Sequence, residues 1–139
     1  MPMPQEYQLA SEVWEDLLTK VKDGLCLKTR NQTYTTIQSV LLVFRRRLRP
    51  AQILQFADVL PVTVRAIFVQ GWTEEEFEPR FGTPSQLVQE VQSIRQSHNF
   101  SPDNSISVVT SAIRGCLDER ELEMVLRSIS DEALSYWTS

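Results

Sequence analysis

Apolar residues recur at spacings of three and four along most of this chain, and nowhere do they alternate strictly with polar ones. Tyr34, Ile37, Val40, Leu41, Phe44 and Leu48 form one such row, and Ile106, Val109, Ile113 and Leu117 form another. A period near 3.6 marks an amphipathic helix, whereas strict alternation would mark a strand, so an all-α fold is predicted. Capping residues and prolines divide the pattern. Thr83 precedes Pro84 and Ser101 precedes Pro102, each a capping side chain followed by proline in the first turn. Asp118 with Glu121 resembles a capping box, Ser130 opens the last segment, and Pro50 and Pro61 open two earlier ones. The predicted helices cover residues 6–23, 32–48, 50–58, 61–69, 84–97, 102–116, 119–128 and 131–137. The longest connection between them is Gln70–Gly82.

The chain matches itself at a constant offset of 69. Ile37 falls on Ile106, Val40 on Val109, Phe44 on Ile113, Leu48 on Leu117, Ile53 on Leu122 and Phe56 on Val125. Leu60 falls on Ile129, Val64 on Ala133 and Phe68 on Trp137, and at an offset of 70 Leu17 meets Leu87 and Val21 meets Val91. Such a register implies two tandem four-helix repeats: repeat one about 6–69, a link at 70–83, and repeat two about 84–138. A unit of about 65 residues buries too little apolar surface to stand well alone. The two are therefore expected to share one core, forming a bundle of about eight helices within a single domain of residues 1–139.

The run Leu60-Pro61-Val62-Thr63-Val64-Arg65-Ala66-Ile67-Phe68-Val69-Gln70-Gly71-Trp72 resembles the signature of a bacterial family called domain of unknown function 2267. Its members show Leu-Pro, then an arginine among apolar residues, then Gly-Trp, followed by a polar link and a helical second copy. The resemblance spans about Glu6 to Trp137. The acidic stretch after Trp72, and Ser130 where the first copy has Pro61, depart from the pattern. The resemblance implies a compact two-repeat helical protein and supplies no activity.

Composition narrows the function classes. Of 139 residues 42% are apolar and 23% charged, a globular mixture. Four glycines are too few for a phosphate-cradling loop. No apolar run reaches the roughly 18 residues that span a bilayer, and no basic-then-apolar leader is visible at Met1–Glu6, so a cytoplasmic location without membrane contact is expected. Cys26 and Cys116 lack a second Cys or His at ligand spacing and read as small buried hydrophobes without a disulfide. The net charge of −4 is unevenly spread. Residues 1–70 carry nine basic and six acidic side chains; residues 71–139 carry five and twelve. Opposite signs on the two halves favour their docking, or the association of two chains.

Candidate chemistry is sparse. Arg45, Arg46, Arg47 and Arg49 form the densest basic run, and phosphate contact is one reading. At 100° per residue only Arg45 and Arg49 share a helix face, and cations at a helix end complement its dipole. A solvated helix end, pairing with acids of the other half, is the reading preferred here. Glu74, Glu75, Glu76 and Glu78 lack the spacing of a calcium loop and read as a solvated link or a short turn capped by Thr73. Arg65 is either a snorkelling side chain or a cation holding a carboxylate, with Asp58 and the link glutamates as candidates. Gly71 suits a left-handed helix end, with Trp72 packing back between the copies or anchoring a partner. Trp14 and Trp137 belong to the core or its edge. His98 is the only histidine, so neither a His-based triad nor a His/Cys metal site is expected. Nothing in the spacing points to an enzyme that works with carboxylates alone. The expected function is thus a non-enzymatic helical protein-interaction or regulatory module that binds another protein or itself, without a cofactor. Arg65, Trp72, Arg45, Arg46 and Arg49 are its candidate contact residues. Nucleic-acid binding through Arg45–Arg49, or a small-ligand site between the repeats, are the alternatives.

Overall fold

Capped starts and apolar stripes produce helices where the spacing places them. A computed structural model describes residues 3–139 and contains nine α-helices and no strand among them. They are α1 (Gln5–Gln8), α2 (Ala10–Gly24), α3 (Arg30–Arg45), α4 (Pro50–Ala57), α5 (Val62–Val69), α6 (Pro84–Ser93), α7 (Ser105–Arg114), α8 (Glu119–Ile129) and α9 (Asp131–Thr138). Two 3-10 turns, Glu74–Glu76 and Gln96–His98, lie in the connections. The caps at Thr83, Asp118 and Ser130 each accept a backbone N–H of the following turn, as their sequence context predicts.

Four of the predicted helices differ in extent from the sequence pattern by more than one residue. The first predicted helix breaks at Leu9, where ψ is 6°, giving α1 and α2. No residue of α1 is buried, so packing does not hold it in line with α2. α3 starts earlier, because Thr29 accepts the Gln32 N–H, and ends at Arg45, after which Arg47 and Leu48 close tighter turns onto Phe44 and Arg45. α6 stops at Ser93, four residues short, because Arg95 turns left-handed with φ 50°. The Asn99 amide then reaches back and donates to the Val91 and Ile94 carbonyls at 2.8 and 2.7 Å. α7 begins at Ser105 rather than at Pro102, since the Ser105 N–H closes a turn onto the Pro102 carbonyl.

The core is one contiguous cluster that draws on both halves of the chain. α3 packs against α2, α5, α6 and α7; α2 also packs on α7, and α4 on α8. At its centre Phe44 stacks on Tyr136 and meets Phe56 and Trp137, with centroids 4.9–5.7 Å apart. Phe56 lies 5.2 Å from Phe68 and 5.1 Å from Trp137. Val40 and Val109, Phe44 and Ile113, Ile53 and Leu122, Val64 and Ala133, and Phe68 and Trp137 are buried pairwise. At Ile106, Leu117, Val125 and Ile129 the second member is only half-buried. Trp14 sits at the core edge, 6.3 Å from Tyr34. Cys26, expected inside, is exposed, because it lies just past α2 in a left-handed conformation that swings it off the core face; Cys116 is half-buried, and both are free. No helix of the described residues is long and apolar enough to cross a membrane.

Candidate functional site

The arginine run is not the solvated helix end that its position suggests. α3 ends at Arg45, so the residues beyond it no longer follow the helical 100° progression, and the link folds back over them. Arg45 is 4% exposed and Arg47 is 7% exposed, whereas Arg49 is open to solvent. Arg45 donates through Nε and Nη2 to both oxygens of Glu76, at 2.9 and 2.8 Å, and through Nη1 to the carbonyls of Phe68 and Gln70. Arg47 donates to both oxygens of Glu90 at 2.6 Å and to the carbonyls of Val43 and Arg80. Arg46, half-exposed, reaches the same Glu90 at 3.1 Å. These pairs join the basic half to the acidic half.

Burial pushes the Glu90 carboxyl up. The hydrogen bonds and charge of Arg47, with those of Arg46 behind them, more than offset that and hold it below the ordinary carboxylate range. Glu76 sits in the 3-10 turn after Thr73, where it also accepts the Thr73 N–H at 3.5 Å. The sequence pattern missed Arg47 and Glu90 as a pair; the opposed charge of the halves was the signal available.

Arg65 holds neither Asp58 nor a link glutamate. Its Nε donates to the Ala57 carbonyl at 2.9 Å and Nη2 to the Leu60 carbonyl at 3.1 Å, closing the end of α4, with Glu6 3.7 Å away. It borders a polar cleft of 240 Å³ with Glu6, Asp58, Asp118, Glu121 and the Cys116 side chain. Trp72 follows Gly71, which is left-handed at φ 73°, and packs half-buried against the core. Among the described residues no three His, Cys, Asp or Glu side chains converge as a metal site.

The larger opening is a groove of 480 Å³ between α6, α7 and α9, within the range of binding pockets. Phe81, Leu87, Val88, Ile106 and Tyr136 supply its apolar surface. Asp103, Asp131 and Glu132 stand at its edge, and no lysine or arginine lines it. The arginine clasp shapes this groove. Arg47 binds the Arg80 carbonyl and places its guanidinium 5.9 Å from the Phe81 ring, which also rests 6.3 Å from Phe44 and 6.4 Å from Tyr136. Tyr136 is fixed in turn by its hydroxyl, which donates to the Val40 carbonyl at 2.7 Å inside the core.

A helical bundle with an acidic-edged apolar groove, built around internal arginine clasps, is the class of protein this architecture defines. The chain belongs to the family described as uncharacterized conserved protein DUF2267, whose model matches residues 14–135. Comparison with curated proteins finds no match.

Proposed function

We propose that this protein is a non-enzymatic interaction module, acting in the cytoplasm, whose contact surface is the groove between α6, α7 and α9. The open groove is the observation that carries the reading. Its apolar floor and the three carboxylates at its edge complement a partner's amphipathic helix flanked by Lys or Arg. α9 has eight residues, about 12 Å of helix, which matches about two turns of such a partner.

The same reading includes two diverged repeats closing on one core. The packing supports it: α2 on α7 mirrors α6 on α3, α3·α5 mirrors α7·α9, α4·α5 mirrors α8·α9, and α3·α7 and α4·α8 pair like with like. Nucleic-acid binding through Arg45–Arg49 draws less support, since Arg45 and Arg47 are committed to Glu76 and Glu90.

A photo-crosslinking residue placed at Val88 or Ser107, in the protein expressed in its native cells, tests the module. The expected result is one discrete protein adduct, whose purified partner binds at least tenfold more weakly to Val88→Arg. A folded protein that gives no adduct at either position, or a partner indifferent to Val88→Arg, would refute the reading.

A further inference from the structure

We propose that the partner helix lies antiparallel to α6 and runs past Phe81 into an adjoining slot, where its C-terminal end sets an apolar side chain on Phe77 and a carboxylate on Arg49. The inference rests on the groove reading above and adds to it a direction and a second anchor. Phe81 and Glu132 line both the groove and a neighbouring cavity of 280 Å³, so the two openings are continuous.

The wall of this slot is apolar and held in place. Phe77, Pro79 and Phe81, alternate residues of the link, line it. The intervening Glu78 and Arg80 pair with each other, and the backbone is pinned by two bonds: the Glu78 N–H donates to the Arg46 carbonyl at 2.8 Å, and Arg47 donates to the Arg80 carbonyl at 3.2 Å. Phe77 nevertheless stays 44% exposed, a ring on a fixed wall with nothing over it. Arg49 lines the same slot. Arg45, Arg46 and Arg47 are each paired with a glutamate, whereas Arg49 is open to solvent and forms no ion pair among the described residues. Glu132 lines the slot without pairing with it, so the guanidinium is left for an incoming carboxylate.

Charge therefore changes sign along α6. Arg49 adjoins the Phe81 end, just before α6 begins at Pro84. Asp103 stands at the other end, where Gln92 in the last turn of α6 holds it at 3.0 Å. A helix carries partial positive charge at its N-terminus and partial negative charge at its C-terminus. Laid along α6, a partner helix satisfies both charges only with its N-terminal end at Asp103 and its C-terminal end at Arg49. The ten residues of α6 span about 15 Å, so the partner's basic residue and its carboxylate stand about three turns apart.

The probe is the partner segment mapped from the Ser107 adduct, made as a labelled peptide and titrated against the full chain by fluorescence anisotropy. A photo-crosslinking phenylalanine analogue at Phe77, and a crosslinker at Gln89 beside Gln92, should capture that same partner. The Phe77 adduct is expected C-terminal to the Ser107 adduct on one helix, and the Gln89 adduct N-terminal to it. Arg49→Glu should weaken the peptide about tenfold and leave the melting midpoint unchanged. Replacing the peptide carboxylate nearest the Phe77 adduct by lysine should restore affinity for the Arg49→Glu protein. If Arg49→Glu shifts the midpoint, this charge swap decides, and failure to restore affinity overturns the pairing. A Ser107 adduct whose partner gives none at Phe77, adducts in the reverse order, or a peptide indifferent to Arg49→Glu overturns the slot and leaves the groove standing. No adduct at Val88 or Ser107 overturns both.

Discussion

Arg45→Met is the perturbation that best separates an internal clasp from a surface charge. Methionine keeps the aliphatic stem and removes the guanidinium. Glu76, whose side chain is 14% exposed, then loses both strong donors and retains only the Thr73 N–H at 3.5 Å. The carbonyls of Phe68 and Gln70 lose their donor as well. Removing one member of a buried pair costs about 3–5 kcal/mol, mostly from the charge left behind. For a chain of this size about 3–4 °C accompanies each kcal/mol, so a fall of about 9–20 °C in melting midpoint is expected by calorimetry. Adding Glu76→Leu removes the stranded charge. The double variant should regain about 2 kcal/mol, the remainder reflecting the two orphaned carbonyls. Exposed pairs contribute about 0–1 kcal/mol and respond to salt, whereas this loss should persist at high salt. An Arg45→Met protein within about 1 kcal/mol of wild type, or a double variant whose loss is the sum of the singles, would refute the clasp.

Two further tests probe the surrounding network. Because the Glu90 carboxyl titrates lower in the folded protein than in the unfolded chain, its stabilising contribution is present above about pH 4.3 and lost as pH falls through its folded value. Glu90→Gln should therefore flatten the acid limb of the urea midpoint measured from pH 6 to pH 3; an unaltered limb would show that the Arg46 and Arg47 contacts contribute nothing. Tyr136→Phe removes the hydroxyl that donates to Val40 and should cost about 1 kcal/mol in urea denaturation, whereas a loss above about 3 kcal/mol would mean that the ring itself had moved.

What was legible in the sequence was local. The starts of α6, α8 and α9 follow from Thr83, Asp118 and Ser130, each of which caps residues two or three positions away. The apolar rows likewise name most of the core, because a helix face is set by spacing alone. The ends that went unread depend on distant or absent contacts. α6 stops where Arg95 turns left-handed and Asn99 reaches back to cap it, and the first helix breaks where nothing packs against α1. The candidate site shows the same division. Placing Arg45, Arg46, Arg47 and Arg49 around one helix failed because α3 ends inside the run and the link returns over it, burying Arg45 and Arg47. The groove lies between α6, α7 and α9, and no single segment carries its signal. Arg65 borders the separate polar cleft and Trp72 packs on the core, so neither candidate contact residue lines the groove.

The groove opens in the second half for a physical reason that also decides how its charge should be tested. In the first half the fifteen-residue α2 packs against α5; in the second half the ten-residue α6 makes no comparable packing on α9, which leaves Leu87, Val88, Ile106 and Tyr136 lining a gap. Two of the three acids at the edge, Asp131 and Glu132, occupy the first turn of α9, where a carboxylate is favoured by the helix dipole whether or not anything binds. Neutralising them would weaken the helix and the groove together. Asp103 precedes α7 and, among the described residues, its side chain accepts only the Gln92 amide, at 3.0 Å, so its charge has less structural work to do. Asp103→Asn is therefore the substitution in which a loss of affinity for a basic partner reports on the groove rather than on the fold.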